Sequence, residues 1–346
     1  MRIVFVTQQV DPGHPALAAT VPMLRALAER VDEVVVLADR ALPGVLPDNC
    51  RVRPFAARSQ AGRGLRFEAA LAAELTHGPK PAALVAHMCP IYAVLAAPLA
   101  RPLGVKVLLW YTHWSVSRTL QAAERLSNVV LSVDRRTFPL DSLKVRAIGH
   151  GIDLSEFPCA DGTALHADLR ALALGRYSRA KGLDVVVRAV RLALDSDLDV
   201  RLEVFGPALN PDEREHRAEL EQLVAELDLS RRVKLGHAVL RSEVPSLIAR
   251  ADVLVNNMRA GATDKVVYEA CASCTLAIAS NPAFDSLLPD ELRFDRDDPG
   301  ALADRLLALG AEPPDRRHEL GQVLRERVAA SHSVESWADA VVEAAT

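Results

Sequence analysis

The chain has 346 residues, too many for one ordinary core and enough for about two domains at roughly 150 residues each. Half of it is apolar and a quarter charged, the balance of a globular protein and not of a disordered or fibrous one. With 41 basic and 45 acidic side chains the formal charge is -4, and aromatics are only 4%, so no dedicated nucleic-acid surface or base-stacking platform is expected.

In chain order, short runs rich in Val, Ile and Leu alternate with amphipathic stretches of helix length. Strands are predicted over 3–6, 34–37, 83–86, 105–109 and 129–131, with helices at about 16–30, 65–76, 91–101 and 119–126. The runs read as continuous hydrophobics, as in a parallel sheet covered on both faces. The rhythm restarts after Phe157. Strands are predicted over 169–174, 201–205, 233–235, 253–255 and 276–279, and helices at about 183–194, 212–227, 244–250, 266–273 and 299–309. Residues 316–346 read as helix throughout. Two doubly wound α/β units in tandem are the simplest architecture, with a seam over 153–168, where Pro158, Gly162 and polar residues break the pattern.

The five cysteines, Cys50, Cys89, Cys159, Cys271 and Cys274, are odd in number and irregular in spacing, so neither a disulfide framework nor a zinc set is expected. Cys271 and Cys274 form a C-x-x-C, read as small residues at a buried helix end in preference to a redox pair. After Met1 and Arg2 only the five residues 3–7 come before Gln8 and Gln9, too short a run for an export signal. Residues 81–100 lack formal charge but hold Pro81, Pro90, Pro98 and His87, and suit a strand, turn and helix better than a membrane span. A soluble, cytoplasmic protein is expected. Residues 1–156 carry 18 basic against 13 acidic side chains, and the remainder 23 against 32. Arg51, Arg53, Arg58, Arg63 and Arg66 cluster in the first half. They form either a solvated surface or a patch that attracts an anionic acceptor or membrane surface.

Four segments carry candidate chemistry. In Leu174-Gly175-Arg176-Tyr177-Ser178-Arg179-Ala180-Lys181-Gly182 a strand ends, a glycine permits a turn, and a helix begins near Lys181. Ligands of open α/β sheets sit at carboxyl ends of strands, facing helix N-termini. A guanidinium and an ammonium there suit a diphosphate without a metal. In Thr263-Asp264-Lys265-Val266-Val267-Tyr268-Glu269, Thr263 or Asp264 can cap a helix whose second turn holds Glu269, a carboxylate able to accept bonds from vicinal hydroxyls. Trp110-Tyr111-Thr112-His113-Trp114 ends a strand of the first half. Ile148-Gly149-His150-Gly151-Ile152-Asp153, followed by Phe157, closes that half.

In this order the segments resemble the retaining glycosyltransferases of family 4, which have the GT-B fold. The resemblance spans nearly the whole chain, through Gly13-His14, His113, His150-Gly151-Ile152-Asp153 with Phe157, Gly175-Arg176 with Lys181-Gly182, Phe205-Gly206, Gly236-His237, Ala251-Asp252-Val253 and Asp264-Lys265 with Glu269-Ala270. It implies two tandem Rossmann-like domains facing each other across a cleft: an acceptor-side domain over 1–156, a nucleotide-sugar-binding domain over 157–330, and a terminal helix over 331–346, including Trp337, that crosses back to the first domain. It implies transfer of a hexose from a nucleoside-diphosphate sugar of UDP or GDP type to an acceptor nucleophile, with retention and without a metal or other cofactor. The acceptor class, whether small metabolite, lipid-linked or polysaccharide, stays open.

The resemblance gives Arg176 and Lys181 the donor diphosphate, Glu269 the ribose hydroxyls, and His113 a place beside the transferred sugar. Gly13 would admit backbone amides to the donor or acceptor, and Gly206 and Gly236 would line the donor site, with the nucleobase seated just after Gly236. The family's usual Glu eight positions before the ribose Glu is here Gly261, and Thr263, Asp264 and Lys265 take over donor contacts. Cys274 and Leu276 replace the usual Gly and Pro after that helix. Asp195-Ser196-Asp197 and Asp295-Arg296-Asp297 resemble metal-holding strings of another transferase fold, but are expected in polar loops away from the site. A nicotinamide dehydrogenase needs G-x-G-x-x-G after its first strand, where this chain has only Gly13. A nucleotide-sugar epimerase and a non-catalytic nucleotide-sugar-binding protein share the fold and are the alternatives.

Overall fold

The computed structural model describes residues 1–14, 17–159, 168–261 and 263–346. Ala16 of the first expected helix, Gly162 of the expected seam and Ala262 lie outside the described residues. The first half runs β1 (Arg2–Val10), α1 (Thr20–Ala28), β2 (Glu33–Ala41), β3 (Cys50–Pro54), α2 (Gln60–Thr76), β4 (Ala83–His87), α3 (Pro90–Ala100), β5 (Lys106–Trp110), α4 (Arg118–Leu126), β6 (Val129–Ser132) and β7 (Val145–Ala147). The second runs β8 (Leu169–Leu174), α5 (Leu183–Asp195), β9 (Val200–Phe205), α6 (Pro211–Glu226), β10 (Val233–Leu235), α7 (Val244–Ala249), β11 (Val253–Asn256), α8 (Lys265–Ala272), β12 (Leu276–Ala279), α9 (Pro299–Ala311), α10 (Pro314–His332) and α11 (Val334–Ala345). The chain divides into two compact units, Met1–Asp153 with Ser331–Thr346, and Leu154–Ala330.

In the first unit seven parallel strands lie in the order β3-β2-β1-β4-β5-β6-β7. Ile3, Val4, Phe5 and Val6 are fully buried, as are Leu84 and Val85, because helices cover both faces. The edge strands β3 and β7 escaped the sequence reading: one interleaves arginine with apolar residues and the other has three residues. Arg51 and Arg53 of β3 both pair with the buried Glu74 (2.6 and 2.5 Å), and Arg63 lies 3.5 Å from Asp39. Burial would push the Glu74 carboxyl up, but Arg51, Arg53 and Arg2 together hold it below the ordinary carboxylate range. Much of the expected basic patch is therefore internally matched.

The last helix belongs to this unit. α11 packs on α1, and Trp337 is fully buried with its ring 6.0 Å from Trp110 and 6.3 Å from Phe5. The His150-Gly151-Ile152-Asp153 segment is stitched to its start. Ile152 donates to the His332 carbonyl (2.7 Å) and Val334 to the Ile152 carbonyl (3.0 Å). Gly149, at φ 76°, leaves room for the Ser331 carbonyl, which any Cβ would strike.

The second unit has five parallel strands in the order β10-β9-β8-β11-β12. The strand order reverses between β8 and β11, so the carboxyl ends of these two strands form a topological switch point, where open α/β sheets bind ligands. One strand departs from the continuous hydrophobic reading. β9 alternates, with Val200, Leu202 and Val204 buried and Arg201 exposed, so one face of the sheet is open there.

The cysteines also correct the sequence reading. Cys159 and Cys274 form a disulfide, while Cys271 stays free and buried in α8. Cys274 has φ 59°, the left-handed position beyond a helix end that glycine usually fills, and this turns its Sγ away from Cys271 toward a residue 115 positions earlier. No spacing pattern signals such a pair. Among the described residues no helix is long and apolar enough to cross a membrane.

Candidate functional site

The switch point of the second unit is built from glycine upward. β8 ends at Leu174, and Gly175 follows at φ 125°, donating to the Phe205 carbonyl (3.0 Å). A short turn over Arg179–Lys181 brings the chain round to Gly182, left-handed at φ 52°, which opens α5. Lys181 then reaches back across the strand end. Its Nζ donates to the Leu174 carbonyl (2.9 Å) and to Asp264 Oδ2 (2.5 Å), and its side chain is 12% exposed. A Cβ on Gly175 would occupy the place of that ammonium.

Asp264 stands at the N-cap of α8, yet its carboxylate makes no cap bond, contrary to the sequence expectation. It is turned instead to Lys181 and to Asn256 Nδ2 (2.7 Å) at the end of β11. Two buried polar atoms beside this group, Asn256 Oδ1 and Thr263 Oγ1, have no partner among the described residues. A buried polar atom without a partner is one that an ordered water, an ion or a ligand can satisfy. Asn257 follows, donating to the Gly182 carbonyl (3.2 Å) and approaching Asp297 (3.4 Å). Asp297 therefore belongs to this strand-end network, and not, as the sequence suggested, to a remote loop.

Arg176 starts from the same strand end but turns elsewhere. Its guanidinium is 56% exposed and lies 3.2 Å from Glu213, a buried carboxylate in the first turn of α6. Two glycines nearby permit close packing. A Cβ on Gly206 would strike the Gly175 carbonyl, and one on Gly236 the Phe205 ring, so Gly206 lets two backbone segments approach and Gly236 lets the Phe205 ring lie against the chain. Beside Gly236, the Tyr177 hydroxyl donates to its carbonyl (2.7 Å), and burial pushes that phenol up to about 12. Arg217 lies over the Tyr177 ring and donates to His237 Nδ1 (2.9 Å).

Glu269 lies in a buried ion cluster. Its carboxylate is 1% exposed and accepts from Arg241 (2.7 Å) and Lys265 (3.2 Å), while Arg241 also bridges to Glu156 (3.1 Å) and covers the Phe157 ring. Burial alone would push the Glu269 carboxyl up. Lys265 and Arg241 outweigh that and hold it below the ordinary carboxylate range. Burial draws the Lys265 ammonium down, against the pull of Glu269. Arg241 was missed from the sequence because its partner is 28 positions away. Asn256 and Asn257 were missed too, although two amides directly after the apolar run 253–255 are a readable sign of a strand end aimed at a ligand.

Gly13 and His113 belong to the first unit. Gly13 follows β1 in a turn where its N–H is taken by Asp11 Oδ1 (2.8 Å). His113 follows β5, stacks on Trp114 at 5.3 Å, and accepts at Nδ1 from the Ser115 N–H (3.1 Å). In the neutral ring this leaves the proton on Nε2. Among the described residues no cluster of His, Cys, Asp and Glu is arranged to hold a metal.

Residues 164–327 match the family model described as Glycosyl transferases group 1, less than half of the chain. No curated protein matches it. Several solved structures share the fold over the whole length. Sucrose-phosphate synthase (tll1590) from Thermosynechococcus elongatus is 20% identical, with 99% of this chain and 98% of that one covered and a TM-score of 0.75. Anabaena Alr3699/HepE, solved in complex with UDP, is 16% identical with 99% of each chain covered and a TM-score of 0.77. The structure of trehalose-6-phosphate from Escherichia coli bound with UDP-2-fluoro glucose is 14% identical, with 100% of this chain and 99% of that one covered and a TM-score of 0.72. The chain thus has the GT-B glycosyltransferase fold, and over residues 164–327 it is similar to the group 1 glycosyl transferases.

Proposed function

We propose that this protein transfers a hexose from a nucleoside-diphosphate sugar to an acceptor nucleophile with retention of anomeric configuration. One observation carries the reading: the Lys181 ammonium laid over Gly175 at the β8–β11 switch point, between the Leu174 carbonyl and Asp264. Support comes from the orphaned Asn256 and Thr263 oxygens beside it and from similarity to proteins solved with UDP or a UDP-sugar.

The chemistry follows from charge. When the anomeric C–O bond breaks, the electron pair leaves with the diphosphate and positive character grows on the sugar. Lys181 is a fixed cation at the strand end, and Arg176, which starts from the same strand end and pairs with Glu213 in the free protein, is the second; such cations stabilise the departing charge more than the intact donor, which is the condition for acceleration. Each such contact supplies about 3 kcal/mol. Asp264, Lys265 and Thr263 lie at the start of α8 to meet sugar hydroxyls. Gly206, which lets its strand end pack against the Gly175 carbonyl, and Gly236 line the donor side. These atoms do the work without a resident metal. Glu269 contributes to ribose binding by anchoring the α8 start, since its own carboxylate is enclosed by Arg241 and Lys265.

The test is calorimetric titration with UDP, GDP and their hexose conjugates, followed by NMR of the glycoside formed with the best donor. Saturable nucleotide binding that weakens in Lys181→Ala, and a product with the donor's anomeric configuration, support the reading. Equal affinity in Lys181→Ala, or an inverted product, overturns it.

A further inference from the structure

At the opposite end of the second unit's sheet, the amino ends of β8, β9 and β10 line a cavity of about 400 Å³. Arg170 and Arg201 are direct register partners on β8 and β9. The pairing of Leu202 with Val233 sets Arg232, the residue before β10, beside Arg201. Three arginines thus fall in one rung across three adjacent strands, on the face that β9 leaves open. Like charges placed opposite each other in a sheet are destabilising, so this rung has a cost in the free protein.

The carboxylates nearby offset only part of it. Asp168 lies 2.5 Å from Arg201 and 3.7 Å from Arg170, and Asp199 pairs with Arg232. Glu203 is matched by Lys234 at 2.9 Å. Arg231 and Arg250 then join the lining, exposed and with no ion pair among the described residues. Among the described residues, six cationic side chains line the cavity against two carboxylates, Asp168 and Glu203, with Asp199 paired to Arg232 beside them. This happens in a half of the chain where acidic residues outnumber basic ones.

We propose that this cavity binds a small compound carrying two or more phosphate groups. Guanidinium forks engage phosphate oxygens in paired hydrogen bonds, and an anion with several charges offsets the repulsion within the rung. The volume falls within the range of small-molecule sites. Among the described residues no aromatic side chain lines it, so they offer a base nothing to stack on. β8 separates this cavity from the Lys181 end by about 17 Å, five steps of roughly 3.3 Å, so one phosphate compound does not span both.

The full chain carrying Arg176→Ala and Lys181→Ala removes the strand-end cations from the measurement. It is titrated calorimetrically with inorganic tripolyphosphate and, separately, with fructose 1,6-bisphosphate, which distinguishes a bare phosphate chain from a sugar bearing phosphates. Saturable binding of either, weakened roughly tenfold or more by adding Arg231→Ser and Arg250→Ser and weakened by added salt, is expected. Affinity indifferent to Arg231 and Arg250, or no saturable binding of either compound at millimolar concentration, overturns the proposal. Unchanged UDP binding in Arg231→Ser/Arg250→Ser alone shows that these exposed changes leave the fold intact, so the outcome is independent of the donor reading.

Discussion

The Lys181 ammonium occupies the space that a Cβ on Gly175 would fill. The two residues are six apart, and the turn between them brings the cation back over the strand end from which it started. Gly175→Ala therefore strikes twice: it strains a backbone at φ 125°, and it expels the ammonium from the Leu174 carbonyl. Turnover is expected to fall about 100-fold, close to the effect of Lys181→Ala. Because both changes remove one cation, the double variant should be little worse than either single one. Additive losses in the double-mutant cycle would show that the glycine acts some other way.

Asp264 compensates Lys181 before any donor arrives. A diphosphate must compete with that carboxylate for the same ammonium. In Asp264→Asn the competing charge is gone, while the amide can still bond Asn256. Affinity for UDP should rise several-fold, about 1 kcal/mol, while kcat falls if Asp264 also meets the sugar. Calorimetry and steady-state kinetics on the same preparation separate the two effects. Weaker UDP binding in Asp264→Asn would mean that the carboxylate's hold on Lys181 is needed to place the cation.

Most of this architecture was legible because parallel strands buried on both faces announce themselves as apolar runs. All five strands of the second unit were read within one residue. β3 and β7 were lost because edge strands need not be apolar. The positions of Arg176 and Lys181 followed from the strand-end rule, but their partners did not. Glu213, Asp264 and Asn256 are set by which elements the sheet order makes neighbours, and that order is not written in any local pattern. Glu269 shows the same limit. Its place in the second turn of α8 was readable, whereas its enclosure by Arg241 depends on a short turn 28 residues upstream. The Cys159–Cys274 bond, across 115 residues, had no local signal at all.

The Glu269 cluster makes acid stability a test of burial. Its folded-state carboxyl is held below the ordinary value of about 4.5, so it contributes stability that is present above that pH and lost as the pH falls through the folded-state value. Glu269→Gln removes the charge and leaves Arg241 and Lys265 facing a neutral amide. A loss of about 3 kcal/mol is expected at pH 7. The gap between wild type and variant should narrow below pH 4.5. Urea midpoints measured from pH 7 down to pH 3 check this. A gap that stays constant across the range would mean that Glu269 stabilises by shape and not by charge.

The disulfide links the segment after Phe157 to the residue just beyond α8, closing a loop of 115 residues. Disulfides typically stabilise by roughly 2–4 kcal/mol. Cys159→Ser should lose that amount, and dithiothreitol should lower the wild-type Tm to the level of the variant while leaving the variant unmoved. Cys271 does not substitute for the missing partner, because burial pushes its thiol up to about 12 and keeps it protonated at neutral pH. Cys274→Gly distinguishes the cross-link from the backbone beneath it. It breaks the same bond but places glycine at a left-handed position, φ 59°, recovering about 1 kcal/mol relative to Cys159→Ser. Equal Tm values for the two variants would mean that Cys274 bears no backbone cost, and a wild-type Tm indifferent to dithiothreitol would mean that the bond contributes nothing to the folded unit.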